Sequence, residues 1–338
     1  MSTPPEGGRR GVADLAPFGQ DAALAVLRRL RGSSAGPRSL LLAGPEHVGR
    51  RQAARWLCAF SNCSAPDSGP RPCGECESCR LALAGMHPDL KEVGPATTTE
   101  AGRAKRNLEI RIDQLVPREG GDPEPLAPWL TTRPRYQTRV GLIDHADALN
   151  TSAANAFLKV LEEPPPWALI VLVAPGPEAL LPTVASRCVT VRFAAVDDAL
   201  ARLGETGAPV ATADLSGHPG VRLGQPGALL RALEDADATA AARSASSELI
   251  AALPGDVLTA MQAAEAFAKA VAASMEAGQE PGPLGWLREA LRSLPAAQYA
   301  AALDALDACE RAIAAYAQVP LACSVLALEL RRLTLDRR

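Results

Sequence analysis

The chain has 338 residues, of which 47% are hydrophobic and 22% charged, as in an ordinary globular protein of two or three domains. Its formal net charge of −3 argues against a protein that coats nucleic acid by itself. No apolar run reaches the roughly 18 residues of a membrane span, and the polar residues 1–11 lack the apolar segment of a signal peptide, so we expect a cytoplasmic protein without membrane contact.

The predicted elements of the first half alternate between helices and strands. Apolar residues at helical spacing predict helices at 21–31, 52–60 and 151–163, with a further helix beginning within 110–116. Short apolar runs predict strands at 40–43, 89–93, 139–143 and 168–174. We interpret 97–107 as a loop, and the Pro-, Gly- and Asp-rich stretch 117–134 as an irregular surface insertion. This alternation predicts an α/β domain with a parallel sheet covered by helices on both faces.

Only helical segments are expected after Phe193. Glycine and proline clusters divide them, and from 228 onward the chain is rich in alanine and leucine, which favour helices. We therefore predict three domains: an α/β domain at 1–193, a small helical lid at 194–227, and an all-helical domain at 228–338.

A phosphate-binding loop of altered chemistry follows the first strand. Gly44 to Arg51 keep the spacing G-x-x-x-x-G-K-[ST], but Arg50 replaces the lysine and Arg51 the serine or threonine. The lysine of a working loop contacts the β- and γ-phosphates, and the hydroxyl binds Mg²⁺, for which arginine has no oxygen. The scaffold of a nucleotide-hydrolysing domain is thus present without its catalytic groups. Binding of ATP without hydrolysis stays open, because Gly44, Gly49 and the backbone amides could still hold phosphates with Arg50 as counter-charge.

The strand at 139–143 ends in Asp144-His145. A nucleotide-hydrolysing domain has here a carboxylate that orients the Mg²⁺ shell, followed by a glutamate that polarises the attacking water. His145 stands in place of that glutamate, and imidazole is a poor substitute in this geometry. An alternative role for Asp144 is to cap the segment that follows. Together with the altered loop, this pair predicts that the chain does not hydrolyse ATP.

Four cysteines, Cys63, Cys73, Cys76 and Cys79, follow the spacing C-x9-C-x2-C-x2-C. Four thiolates so closely spaced suit one tetrahedral Zn²⁺, and a complete set of four protein ligands indicates a structural rather than a catalytic site. The alternative is a set of free thiols in a loop. Of the four cysteines outside this spacing, Cys58, Cys309 and Cys323 are expected to be small core residues.

Ser186-Arg187-Cys188 follows the last predicted strand. An arginine in this place can point outward and stabilise the charge on a phosphoryl group bound by a neighbouring subunit. On the tripeptide alone, a surface arginine in a salt bridge is the simpler interpretation.

In their order along the chain, these motifs resemble the δ′ family of clamp-loader subunits of bacterial DNA polymerase III, within the AAA+ superfamily. The altered loop and the cysteines are followed by Gly85-Met86-His87-Pro88-Asp89, by the run from Asn155 to Pro165 with its Leu-Glu-Glu-Pro-Pro segment, and by Ser-Arg-Cys. The resemblance covers about 40–195 and is only architectural beyond. The related motor subunits γ/τ share these motifs but carry Gly-Lys-Thr and Asp-Glu at the two places where this chain departs.

The resemblance implies a non-hydrolysing stator in a ring of δ′, three γ/τ copies and δ, which loads the sliding clamp onto primer-template DNA. Arg187 would then be an arginine finger acting in trans on the ATP of an adjacent γ/τ subunit. Residues 228–338 would close a helical collar. Ala174 would stand where an active subunit senses the γ-phosphate, and Arg222 would be a weak candidate for nucleotide contact.

Two other functions stay open at this point. The chain would be a γ/τ-type ATPase motor if Arg50 could replace the lysine, and magnesium-dependent turnover by the isolated chain would distinguish it. It would be a zinc-containing DNA-binding module if it bound DNA tightly and in a salt-sensitive way without partners.

Overall fold

The computed structural model describes residues 15–32, 36–66, 69–95, 109–205, 215, 217–278, 281–315 and 317–335. They fall into two units, which divide between Val196 and Asp197. The loop expected at 97–107 lies outside the described residues. Within them, no helix is long and apolar enough to cross a bilayer.

The first unit contains a five-stranded, entirely parallel sheet, in the order β2-β3-β4-β1-β5. Its strands are β1 Ser39–Ala43, β2 Leu90–Val93, β3 Arg139–Ile143, β4 Ala168–Ala174 and β5 Val189–Arg192. The central strands β1 and β4 are buried along their whole length, as expected for strands covered by helices on both faces. The four predicted strands are confirmed. The edge strand β5 has no apolar run to reveal it, because Val, Thr, Val and Arg alternate and only Val191 is buried.

Helices cover both faces of this sheet, and a separate apolar cluster lies on each face. They are α1 Asp21–Gly32, α2 Arg50–Asn62, α3 Glu77–Leu83, α4 Ile112–Leu115, α5 Leu126–Thr131, α6 Thr151–Glu162 and α7 Pro182–Ala185. The helix α6 begins after Asn150, whose Oδ1 accepts a hydrogen bond of 2.7 Å from the backbone N–H of Ala153. The predicted helices at 21–31, 52–60 and 151–163 are confirmed.

The interpretation of 117–134 as an irregular surface insertion is wrong over its second half. Residues Leu126 to Thr131 form α5, in which Leu126 and Leu130 are fully buried. Both leucines lie so close to β3 that a Cβ on Gly141 would be 3.1 Å from one and 3.2 Å from the other. The apolar residues therefore decide the structure here, because a proline before or within the first turn of a helix does not interrupt its hydrogen bonds.

The described residues of the second unit form helices and no strand. These helices are α8 Ala199–Glu205, α9 Pro219–Arg222, α10 Pro226–Glu234, α11 Ala236–Ala252, α12 Val257–Ala277, α13 Pro283–Ala290, α14 Ala296–Ala314 and α15 Val319–Leu335. One apolar cluster that includes Phe267 unites α11 to α15. The expected division of this unit into a lid and a collar at 227/228 stays a prediction.

Candidate functional site

The loop between β1 and α2 requires both of its glycines. Gly44 has a φ of +152°, and a Cβ there would lie 2.3 Å from the carbonyl oxygen of Phe193. Gly49 has a φ of +93°, and its Cβ would lie 2.5 Å from that of Pro17. The helix α2 begins directly after Gly49. The free N–H groups of its first turn therefore lie at the end of the loop, as in a phosphate-binding loop. The scaffold of the loop is therefore retained.

Arg50, at the position of the catalytic lysine, is buried. Its exposed fraction is 7%, and its Nη1 has no hydrogen-bond partner within the described part of the chain. Burial lowers the pKa of this guanidinium. The carboxylates of Glu46, Asp144 and Asp147 act in the opposite direction. The lysine position thus holds a buried cation whose nearest charges are acidic.

Arg51 contacts the carboxylate that would orient the Mg²⁺ shell. Its Nε lies 3.5 Å from Oδ2 of Asp144, and its Nη2 donates a hydrogen bond of 2.6 Å to Oε2 of Glu92 on β2. Arg55 donates to the same Glu92, with Nε 2.5 Å from Oε1. Two guanidinium groups therefore neutralise the carboxylates at the ends of β2 and β3. A divalent cation at Asp144 would have to displace Arg51 and overcome its charge.

His145 follows Asp144 in the left-handed region, with a φ of 52°. Oδ1 of Asp144 accepts a hydrogen bond of 3.1 Å from the backbone N–H of His145. The short helix Ala146–Ala148 that follows has no side-chain cap, so the capping role considered for Asp144 is not seen. The catalytic glutamate of a hydrolysing domain has no counterpart at this position.

The ion pairs of Glu92 lead to a prediction on the pH dependence of stability. Burial acts to raise the pKa of Glu92, but hydrogen bonds from Arg55 and Arg51 outweigh it and hold the pKa below its ordinary value. The ionised group therefore stabilises the folded chain above its unfolded pKa of about 4.3, and this contribution is lost as the pH falls through the folded pKa.

We expect Glu92→Gln to lower the free energy of unfolding by about 1 kcal/mol at pH 7, and this difference from the wild type to shrink as the pH falls below about 4. Urea denaturation of both proteins over this pH range measures it. Glu163→Gln, which removes an exposed charge, serves as the control. A difference of the same size at every pH would contradict the assigned ion pairs.

The four predicted metal ligands come together at one place. The Sγ atoms of Cys63, Cys73, Cys76 and Cys79 all lie within 4.8 Å of one another. Cys63 follows directly on α2, and Cys76 caps α3, where its Sγ accepts a hydrogen bond of 3.4 Å from the backbone N–H of Cys79. A similar N–H···S contact of 3.4 Å joins the backbone of Cys76 to Sγ of Cys73. This cluster could bind a metal ion between the end of α2 and the start of α3.

The surroundings of the thiols suit metal binding, which requires thiolates. Burial acts to raise the pKa of Cys76, but hydrogen bonds from Ser64 and Cys79 outweigh it and lower the pKa. The pKa of Cys63 is also lowered, since hydrogen bonds from Ala65 and Cys73 outweigh burial. By contrast, burial raises the pKa of Cys79, so a cation is needed to ionise that thiol. The donor set therefore fits a soft divalent ion such as Zn²⁺.

The other thiols lie apart from this cluster. Cys58, Cys309 and Cys323 are buried, with exposed fractions of at most 4%, which confirms the prediction that they are core residues. Burial raises the pKa of Cys58 to about 12 and that of Cys188 to about 11, so both are neutral thiols at pH 7.

Arg187 lies on the surface just after α7, and its side chain contacts Glu162, Thr183 and, at 3.4 Å, Oγ of Ser186. Its Nε donates a hydrogen bond of 2.8 Å to Oε1 of Glu162, and its Nη2 donates to the same oxygen. Its Nη1 donates to the carbonyl oxygen of Thr183 at 2.8 Å. The side chain of Arg187 is 33% exposed, so it is held in place without being shut off from solvent. Its neighbours Ser186 and Cys188 are exposed and half-buried, respectively.

Two further candidates differ in their surroundings. Ala174, the expected counterpart of a γ-phosphate sensor, is buried at the end of β4, and its side chain has no polar atom. Arg222, in the second unit, pairs with Glu289, with Nε 3.0 Å from Oε2. Sequence reasoning missed Glu92 and Glu162 as partners of the site arginines. Glu162 lies within the Leu-Glu-Glu-Pro segment, but nothing in the sequence singled out Glu92.

Comparison with known proteins indicates the family of this chain. A model of the family described as DNA polymerase III, delta subunit, matches residues 19–197. DNA polymerase III subunit delta′ of Pseudomonas aeruginosa is 34% identical over 178 residues, which are 53% of this chain and 48% of that protein. The same subunit of Bacillus subtilis is 31% identical over 153 residues, 45% of this chain and 41% of that protein. The chain thus spans about half the length of the curated relatives it matches, or less.

Another type of DNA polymerase III subunit and a solved structure are also similar. DNA polymerase III subunit gamma/tau of Mycobacterium tuberculosis is 32% identical over 149 residues, 44% of this chain and 22% of that protein. The crystal structure of a DNA polymerase III gamma subunit-related protein from Thermotoga maritima covers 92% of this chain and 99% of its own, with a TM-score of 0.52 and 18% identity, and supports the fold alone. Because the family model matches more than half of the chain, and relatives named delta′ match the same region, this chain belongs to the DNA polymerase III delta subunit family, as a relative of its δ′ members.

Proposed function

We propose that this chain is a non-hydrolysing, δ′-type subunit of a DNA polymerase III clamp loader in the cytoplasm. It would act as a stator in a ring with γ/τ and δ subunits, which loads the sliding clamp onto primer-template DNA during replication. It would supply Arg187 in trans to the ATP bound by a neighbouring γ/τ subunit. The names of the similar proteins support the assembly, and the site geometry supports the role within it.

One observation carries the distinction between stator and motor, namely the contact of Arg51 with Asp144 and Glu92. A motor subunit has a hydroxyl at the position of Arg51 and a metal ion beside the carboxylate. Here the guanidinium of Arg51 lies beside that carboxylate, with Nε 3.5 Å from Oδ2 of Asp144, and brings a positive charge of its own. His145 in turn removes the carboxylate that would polarise water. Both substitutions support the proposal that this chain does not hydrolyse nucleotide.

Arg187, unlike the buried Arg50, is exposed and could reach an ATP bound by a neighbouring subunit. An arginine finger must present N–H donors at the surface, because its phosphoryl group belongs to another subunit. The 33% exposure of the Arg187 side chain meets this requirement, whereas Arg50 is buried. The chain thus combines an inactive site of its own with an accessible arginine on a different element.

The remaining two parts of the proposal are structural. The four-cysteine cluster would hold Zn²⁺, whose role when bound is to join the loop 63–79 to α2 and α3.

The second unit would form the collar that assembles the ring. On its last helix, α15, Leu321, Val325 and Leu328 are 62%, 54% and 44% exposed, and their spacing places them on one helix face that a neighbouring subunit could cover.

Measuring ATP hydrolysis by the isolated chain tests the stator against the motor. We expect no magnesium-dependent turnover above that of an Arg50→Ala variant prepared in the same way, which controls for contaminating ATPases. The double variant Arg50→Lys, Arg51→Thr is expected to stay inactive, because His145 still replaces the glutamate. Wild-type turnover that Arg50→Ala abolishes would establish the motor instead, because Arg50 stands at the position of the catalytic lysine. Tight, salt-sensitive DNA binding by the isolated chain would favour the DNA-binding module.

A further inference from the structure

Glu162, the last residue of α6, fixes the guanidinium group of Arg187 along one edge. A single carboxylate oxygen, Oε1, accepts hydrogen bonds from both Nε and Nη2 of the arginine. The carbonyl oxygen of Thr183 fixes Nη1 from another segment of the chain, the start of α7. The group is therefore held from two sides, by the end of one helix and the first turn of another.

This arrangement leaves donors for an acceptor from outside the chain. A guanidinium has five N–H groups, and Glu162 and Thr183 accept three of them. Nη1 also lies 3.4 Å from Oγ of Ser186, at the long end of the hydrogen-bond range. A second donor of Nη2 stays without a partner within the described residues. Most donors of the side chain are thus used to orient it, while one N–H of Nη2 is left over and the side chain stays 33% exposed.

Stability alone does not account for the pair. Both side chains are well exposed, Arg187 at 33% and Glu162 at 48%, and ion pairs of this kind contribute little to folding. A structural role is also available, because Glu162 lies at the C-terminal end of α6, where a negative charge is unfavourable and a nearby cation offsets it. That role would be served by any arginine rotamer near the carboxylate and does not require contacts to both Nε and Nη2.

An inhibitory role, in which Glu162 keeps Arg187 away from the phosphoryl group, is equally hard to support. A phosphoryl group in transfer carries more charge than one carboxylate and meets arginine with similar bidentate geometry. The phosphoryl group would therefore displace the partly exposed carboxylate of Glu162 from Arg187. What such a weak contact can do is restrict the rotamers of a long side chain before the phosphoryl group arrives, and this restriction favours the transition state.

We propose that Glu162 is a positioning residue for Arg187, which holds the guanidinium in the orientation that meets the phosphoryl group of a nucleotide bound by an adjoining subunit. This role rests on the proposed function of Arg187 as a finger in trans. Glu162 itself does not touch the nucleotide.

Single-turnover ATP hydrolysis by the reconstituted loader, at saturating ATP and with primer-template DNA, tests the role. We expect Glu162→Ala to lower the rate at the adjoining site about tenfold and to change the Kd for ATP less than twofold, because orientation matters most in the transition state. Glu162→Gln keeps an acceptor oxygen and is expected to restore part of the rate. Glu163→Ala removes the same charge one residue away, where the side chain is exposed, and is expected to leave the rate unchanged.

The double variant Arg187→Ala, Glu162→Ala separates positioning from a general effect. If Glu162 acts through Arg187, the double variant hydrolyses ATP at the rate of Arg187→Ala alone. A further loss in the double variant, a wild-type rate for Glu162→Ala, or a faster one would each overturn the inference while Arg187 kept its function. A normal rate for Arg187→Ala would overturn the proposed function, and the role of Glu162 with it.

Discussion

Replacing Arg187 with alanine is expected to slow ATP hydrolysis at the neighbouring subunit's site by roughly 10³–10⁵-fold, the range found for arginine fingers. The reason is electrostatic, because charge builds up on the transferring phosphoryl group where water is excluded, and no other donor replaces the guanidinium. In the proposed ring, Arg187 would act on one neighbouring ATP site only. The measurement is therefore the number of ATP molecules hydrolysed per complex in a single turnover. We expect this number to fall by the contribution of one site.

Two controls make this result specific to the finger. Arg192→Ala removes an exposed arginine from the nearby edge strand β5 and is expected to leave the count unchanged. A sizing column must show that the Arg187→Ala complex is still assembled, because the arginine also bonds Glu162 within the chain. A full count of turnovers in an intact Arg187→Ala complex would remove the finger from the proposed function and leave the chain as a structural member of the ring.

The parts of this site that the sequence predicts are those whose residues are close together along the chain. The glycines of the loop are separated by four residues, and the cysteines follow C-x9-C-x2-C-x2-C, so spacing alone indicates how they meet. The contact of Arg51 with Glu92 and Asp144 joins the ends of different strands. Its prediction requires the order of the strands in the sheet and not only their existence, and the short strand carrying Glu92 offers no motif.

The elements that the prediction misses also depend on contacts between distant parts of the chain. The helix α5 escapes prediction because the prolines and glycines around it are counted as loop signals, although Leu126, Trp129 and Leu130 have helical spacing and are buried. The strand β5 escapes because an edge strand needs apolar residues on one face only. The regular elements with long apolar runs, such as β4, were correct from end to end. Which residues are buried decides whether α5 and β5 form, and burial depends on how the sheet packs against its helices.

For the proposed zinc site, replacing Cys79 with serine is expected to abolish zinc binding and to destabilise the α/β unit by about 4–5 kcal/mol or more, a loss typical of removing a metal site. Cys79 is fully buried, and its thiolate would be one of four ligands with no substitute within reach in the described residues. Zinc content and urea denaturation measure the two effects. Cys188→Ser removes a half-buried thiol outside the cluster and is expected to keep one equivalent of zinc.

The position of the cluster determines how far this damage spreads. The metal would tie Cys63, directly after α2, to Cys76 and Cys79 at the start of α3. Since α2 also carries Arg51 and Arg55, loosening its C-terminal end would disturb the ion pairs at Glu92 as well. We therefore expect the Cys79→Ser protein to lose part of the pH dependence that Glu92 provides. Zinc below one tenth of an equivalent in wild-type protein prepared with added zinc would contradict the metal site, and with it this coupling.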